Sequence, residues 1–288
     1  MRVGIGLPSL SPVSGTVMLD WARRADAGPF SSLGMIDRLV GPNYEPLVTL
    51  AAAAAITHRI GLMTSVILAP LHNAGLLAKQ AASLDALSGG RLSLGLGVGG
   101  REDDFRAAPA SFADRGKRFE EQLVWMKLIW SGQPLADDVD PIGPAPVRPG
   151  GPEVLIGGGT PVAIRRVGRW ADGYNAGGWT NNPTRARQMY DIAVEAWRAE
   201  RRPGRPRFVG NAWFMLGPDA LERAAPFIRA NQAFRGPITE DLVKSVPASP
   251  QAIKDVIAAF ADVGMDELIL KPCLAEIDQV DRLADVLP

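Results

Sequence analysis

The sequence predicts an α/β protein whose strands close into a (β/α)8 barrel, and three observations support that prediction. Eight short strand-like runs alternate with longer helix-like segments along the 288 residues, the pattern of a parallel sheet in which every strand returns through a helix. The strand-like runs are mostly continuous in apolar residues, as strands covered on both faces are, instead of alternating apolar with polar. An open doubly wound sheet is the runner-up, but it carries its nucleotide fingerprint in the first unit, which here reads GLPSLSP and lacks it.

The elements follow in order. VGIGLP (3–8) leads into MLDWARRADA (18–27), SLGMID (32–37) into EPLVTLAAAAAIT (45–57), and GLMTSVILAP (61–70) into AGLLAKQAASLDALS (74–88). LSLGLGVG (92–99) precedes FADRGKRFEEQLVWMKLIW (112–130), EVLIG (153–157) precedes TPVAIRRVGRWA (160–171), and GYNAGG (173–178) precedes TRARQMYDIAVEAWRAE (184–200). FVGNAWFML (208–216) and ELILKP (267–272) supply the last two strands, with a final helix near 276–286. One domain over 1–288 accommodates all of this. Two connections, 131–152 and about 217–250, are too long for a minimal barrel. Loops of that length in a compact domain usually serve as lids or cleft walls.

Composition narrows the function. The 31 basic and 31 acidic residues cancel, which gives no electrostatic footprint for nucleic acid or an anionic membrane. A small-molecule partner is the better expectation. A single cysteine, Cys273, forms no internal disulfide, and the N-terminus lacks a secretory signal, so a cytoplasmic protein is expected. The apolar stretch 47–56 is far short of the roughly 20 residues that span a bilayer. With two histidines and no zinc-binding spacing, no metal site is expected.

In a barrel the chemistry sits where strands end and the following loops begin. GGGTPVAIRRV (157–167) is the strongest such signal. Glycines leave the strand, Thr160 suits the N-cap, and Pro161 suits the first helical position. Gly158, Gly159 and Thr160 thus form a turn fit for a phosphate at the positive end of a helix. Thr64, Ser65 and Val66 end the third predicted strand and can present hydroxyls and backbone to a flat ligand. Asp37 ends the second, where it either bonds a polar heterocycle or serves as a loop cap or an ion pair with Arg38. His72 lies on the same side, where an imidazole is fit for a proton donor near neutral pH. Lys271 ends the eighth strand. A solvated lysine leaving the barrel is the favoured reading there, and a Schiff-base nucleophile of an aldolase-like lyase is the rival.

Gly95, Gly97 and Gly100 spell G-x-G-x-x-G, yet the setting is wrong for a dinucleotide turn. Gly95 and Gly97 alternate with Leu94, Leu96 and Val98 inside a strand, no helix opens directly after them, and no acidic residue ends a second strand about twenty residues on. Glycines at alternate strand positions expose bare backbone on one face, and that face reads as a wall for a flat ring.

LAKQAASLDALSGGRLSLGLGVGG (77–100), RFEEQLVWMKLIW (118–130) and GGPEVLIGGGTPVAIRRVGRWADGYNAGG (150–178) together resemble the luciferase-like family of flavin-dependent monooxygenases and coenzyme F420-dependent reductases. The resemblance implies a bacterial-luciferase-like TIM barrel with insertions before strand five and after strand seven. It implies a ring lying over the end of strand three, where Ser65–Val66 matches a non-prolyl cis peptide. It places the phosphate on Gly158, Gly159 and Thr160, and sets Gly97, Gly99 and Gly100 along the cofactor cleft. Asp37 matches a position that often faces the ring, although Arg38 stands where many members have a histidine or aromatic residue.

The activity implied is a monooxygenase using reduced FMN and oxygen on a small organic substrate, with a separate flavin reductase as partner. The alternative is hydride transfer with F420, in which His72 gains weight as proton donor. The F420 tail carries extra carboxylates and favours a basic groove near the phosphate, for which Arg101, Arg165 and Arg166 are candidates. FMN is slightly preferred. The alanine-rich helices at 45–57 and 74–88 imply a homodimer.

Overall fold

The structure, a computed structural model, describes residues 1–177 and 181–287. In chain order the elements are β1 (Arg2–Gly6), α1 (Gly15–Ala27), β2 (Ser32–Met35), α2 (Pro46–Ile56), β3 (Gly61–Thr64), β4 (Ile67–Leu68), α3 (Ala74–Leu87), β5 (Leu92–Gly97), α4 (Glu102–Ala107) and α5 (Arg115–Trp130). There follow β6 (Glu153–Gly157), α6 (Pro161–Trp170), β7 (Gly173–Ala176), α7 (Pro183–Ala199), β8 (Arg207–Phe214), α8 (Ala220–Gln232), α9 (Ile238–Lys244), α10 (Pro250–Asp262), β9 (Glu267–Pro272) and α11 (Asp278–Ala284).

All pairings between these strands are parallel, in the order β3-β2-β1-β9-β8-β7-β6-β5-β4, and β3 also pairs with β5 to close the ring. β3 and β4 are one barrel strand broken at Ser65 and Val66, which are joined by a cis peptide. The continuous strand expected over 61–70 is therefore two pieces, and the eight expected strands become a barrel of eight staves.

Local sequence sets the helix starts. Ser14, Asn73, Thr160 and Ser249 each accept the amide three residues on, and Pro46, Pro161, Pro183 and Pro250 stand in the first turns of their helices, where the missing N–H costs nothing. Four helices were not foreseen. α4 grows from REDD, which reads as an entrance loop or a solvated charge run but places Glu102, Asp103 and Asp104 in a first helical turn, where acids are favoured by the helix dipole. α8 and α9 occupy the second long connection, and α10 leads into β9.

Inside the barrel, Met63, Leu155, Val209 and Ile269 form a buried cluster from four staves. Ile269 fills the room that Gly4 and Gly34 leave, since a Cβ on either would come within 2.5 or 2.8 Å of it. The N-terminal end is sealed by charge. Buried Glu267 accepts bonds from Ser31 and Ser32 and pairs with Arg2 and Arg207, and Arg207 reaches on to Glu153 and Ser93. Among the described residues no helix is long and apolar enough to cross a membrane.

Candidate active site

A cleft of about 650 Å³ opens at the C-terminal ends of the strands, a volume suited to a cofactor-sized ligand. One wall is the Ser65–Val66 bulge followed by Leu68, and beside it run Gly97, Gly99 and Gly100 after β5. The alternating glycines are not bare toward the ligand, as the sequence implied. A Cβ on Gly95 would lie 2.0 Å from the Thr64 carbonyl oxygen, one on Gly97 2.8 Å from Val66 Cγ2, and one on Gly157 2.8 Å from Val66 Cγ1. These glycines make room for the bulge, and it is the bulge that meets the cleft. Thr64 is displaced from the wall for the same reason: it is fully buried and its hydroxyl donates to the Gly95 carbonyl at 2.8 Å. At Gly100, by contrast, a Cβ meets open space.

Gly158, Gly159 and Thr160 continue the lining after β6, the neighbour of β5, leading into α6. Gly158 is required because a Cβ there would stand 2.6 Å from that of Ala163. Its carbonyl is tied off by the Tyr174 hydroxyl at 2.7 Å, and Thr160 Oγ1 caps Ala163 N at 3.3 Å. The first-turn amides of α6 have no intrahelical acceptors by geometry, which leaves a concave donor set at the positive end of the helix.

Arg115, at the start of α5, lines the same cleft, stacks 3.7 Å over Phe112, and keeps its Nε buried without a partner among the described residues. The sequence reading missed it and named Arg101, Arg165 and Arg166 instead. Of those, Arg101 lines the cleft, 5.1 Å over the Phe234 ring. Arg165 is exposed outside it, and Arg166 turns to the Gly116 carbonyl and Glu120.

Asp37 is buried at the cleft edge, where Oδ2 accepts from Leu68 N at 2.8 Å and stands 3.4 Å from His72 Nε2. Of the alternatives for Asp37, the ion pair with Arg38 does not form. Arg38 binds Asp104 and Asp103 instead. His72 lies behind Asp37, outside the lining, with its carbonyl held by Gln122 at 2.7 Å.

Lys271 overturns the favoured reading of a solvated side chain. It is buried in the cleft floor, donating to Ser65 Oγ at 3.1 Å and to the Ser65 carbonyl at 3.4 Å. Burial with no compensating charge pushes its ammonium down to about 7. The sequence signal was there: a lysine in a strand covered on both faces has nowhere to go but inward. Asn175 and Asn211, lone polar residues near the ends of apolar strands, also line the floor and were passed over.

Asn231, Gln232, Phe234, Arg235 and Ile238 from the second long connection complete the wall, with Trp213 of β8 beside them. The first connection, 131–152, contributes nothing to the cleft; it packs instead on α3, where Val147 N donates to Asp85. Cys273 is buried and its thiol is pushed up by desolvation, as befits a small apolar residue. Gly178, the last residue of the sixth predicted strand, lies outside the described residues.

Residues 4–271 match the sequence pattern of the luciferase-like monooxygenases. An uncharacterised protein of Mycobacterium tuberculosis is 31% identical over 174 residues, 57% of this chain and 60% of its own; the match thus spans about three fifths of that relative. The structure of monooxygenase RslO1 from Streptomyces bottropensis superposes with a TM-score of 0.84 at 20% identity, covering 100% of this chain and 98% of that one. An F420-dependent secondary alcohol dehydrogenase, in complex with an F420-acetone adduct, superposes with a TM-score of 0.80 at 17% identity, with the same 100% and 98% coverage. At these identities the two structures establish a shared fold.

Proposed function

The chain belongs to the luciferase-like monooxygenase family, and on that premise we propose that it is an oxidoreductase whose cleft holds a flavin-type cofactor, with the deazaflavin F420 the better fit. The ring lies along Ser65, Val66 and Leu68 beside Gly97, Gly99 and Gly100, and the phosphate sits on Gly158, Gly159 and Thr160 with Arg115 as counter-ion. The observation that favours F420 is charge: Arg38, Arg101, Arg115, Arg235 and Lys271 line the cleft against Asp37 and Asp104, with Asp103 beside it paired to Arg38 and Arg101. A tail with extra carboxylates answers that excess.

When bound, F420 supplies hydride transfer. The chain's share is to bind, to orient and to exclude water. Val66 fixes the height of the wall because three glycines seat it. Trp213, Phe234 and Ile238 offer an apolar lodging for a small organic substrate opposite that wall. Asp37 holds His72 at 3.4 Å, so a proton can pass from the imidazole through the carboxylate to the cleft edge.

A second reading, reduced FMN and oxygen with a separate reductase, draws on the pairing of Arg38 and Arg101 with Asp103 and Asp104, which lowers the spare charge to what one phosphate needs. Fluorescence titration of the purified protein with each cofactor separates the two: micromolar binding of F420 alone supports the first, of FMN alone the second, and of neither refutes both. Gly159→Asp sets a carboxylate against the phosphate and abolishes tight binding of either. The exposed Val48, Leu76 and Leu87 on α2 and α3 fit a homodimer through these helices, and a monomer by light scattering at micromolar concentration excludes it.

A further inference from the structure

The floor of the cleft carries more hydrogen-bond donors than acceptors. Lys271 Nζ donates to Ser65 Oγ, Ser65 Oγ donates to Asn211 Oδ1 at 2.7 Å, and Asn211 Nδ2 donates to Asn175 Oδ1 at 2.5 Å. Every bond runs in the same direction, and the series ends at Asn175 Nδ2, which is buried without a partner among the described residues. At the other end Lys271 has three N–H groups and, among the described residues, the two oxygens of Ser65 as its hydrogen-bond acceptors. All four side chains line the cleft, and all are more than nine-tenths buried.

Among the described residues no carboxylate pairs with the ammonium. On the surrounding elements the charged or titratable groups of the cleft are Asp37 with His72 beyond β2 and β4, Arg101 and Asp104 at α4, Arg38, Arg115 and Arg235. Asp37 is engaged by Leu68 N and His72, and Asp104 by Arg38 and by the amides of Leu39 and Val40. Glu267, on the same strand as Lys271, faces the other end of the barrel and is bound there by Arg207. What the floor lacks is an acceptor with negative character.

Resting on the flavin-type reading of the cleft, we infer that this floor is a subsite for the electron-rich pyrimidine edge of the ring, with Lys271 as its counter-charge, so that the chain holds reduced cofactor more tightly than oxidised. That edge carries carbonyl oxygens, able to accept from Asn175 and Lys271 in either state, on both sides of an imide N–H, with a further ring nitrogen beside them. Two-electron reduction adds negative charge to it, and only then does it compensate the desolvated ammonium. The phosphate turn at Gly158–Thr160 holds both states equally, so selectivity between them resides in the floor.

The test compares wild type with Lys271→Met and Lys271→Gln, each titrated anaerobically with oxidised and reduced F420 and, in parallel, FMN. Wild type is expected to bind the reduced form about tenfold tighter, and both variants to lose about tenfold for that form and under about threefold for the oxidised one. The potential of the bound cofactor then falls by about 30 mV per tenfold of selectivity lost. Equal affinity of wild type for the two states, equal loss of both states in the variants, or full selectivity in Lys271→Gln overturns the inference. Failure of folded wild type to bind either cofactor in any state overturns the reading of the cleft instead.

Discussion

Two buried charges stand at opposite ends of β9, and the barrel treats them in opposite ways. Glu267, at the N-terminal end, is fully buried and surrounded by Ser31, Ser32, Arg2 and Arg207, with Arg207 shared onward to Glu153. Lys271, at the C-terminal end, has two oxygens of a single serine and, among the described residues, no counter-ion. Both carry the cost of leaving water, but only one is compensated within the fold. A strand with the same backbone pairing along its length thus ends in a closed stability device at one rim and an incomplete one at the other. In a parallel barrel the incomplete rim is where loops gather and ligands bind.

The largest effect separates the two rims. Glu267→Ala leaves Arg207 facing Glu153 alone in a partly buried site and is expected to cost about 3–5 kcal/mol in urea denaturation, with cofactor affinity of the folded fraction unchanged. A variant of near-wild-type stability but lost affinity would erase the contrast. Lys271→Met is expected to do the reverse. Unfolded, the lysine titrates at its ordinary 10.5; folded, at about 7. Between those pH values the unfolded chain keeps a proton that the folded chain releases, so wild-type stability rises with pH across the window, and below about 7 the full penalty stands. Removing the amine is therefore expected to stabilise the protein more at pH 6 than at pH 9, by about 2–3 kcal/mol from 1.4 kcal/mol per pKa unit. Parallel stability curves for variant and wild type across that range would show that the buried amine is solvated in some other way.

Much of the stable rim was legible in the sequence, and less of the binding rim. Alternating apolar runs gave all eight staves, because parallel strands buried on both faces must be apolar throughout. They also concealed the break at Ser65–Val66, since a bulge inside such a run changes no residue type. The turn at Gly158–Thr160, which lines the cleft, was legible because Gly158, Gly159, Thr160 and Pro161 each answer a local backbone demand. Asn175 and Asn211 were missed, and Lys271 undervalued, because their meaning depends on meeting one another and Ser65 between staves far apart in the chain, which no local spacing records. Arg115 was missed for the same reason, its start-of-helix position being visible but its direction not.

The wall between the rims tests whether the glycines serve packing or ligand. Gly95→Ala drives a methyl to 2.0 Å from the Thr64 carbonyl oxygen, a clash with backbone that cannot swing aside, and is expected to cost about 1–3 kcal/mol while displacing Val66 and weakening cofactor binding. Gly100→Ala, whose methyl meets open space, is expected to leave thermal stability unchanged. If Gly95→Ala melts with wild type, the bulge is not seated as described.

The smallest effect is confined to the binding rim. Arg115 has its guanidinium stacked 3.7 Å from Phe112 and its Nε buried without a partner, so its position is fixed before any ligand arrives and little side-chain entropy is lost on binding. The turn leading into α6 lines the same cleft, and helix N-terminal amides favour an anion without carrying a full charge. Arg115→Ala is expected to weaken a phosphate-bearing cofactor about tenfold, or about 1.4 kcal/mol. Riboflavin, which has the ring and lacks the phosphate, is expected to bind wild type and variant alike. Arg115→Lys keeps the charge but loses the planar stack, and is expected to fall between them. The same loss for riboflavin as for FMN would place Arg115 against the ring, and would move the phosphate away from the Gly158–Thr160 turn.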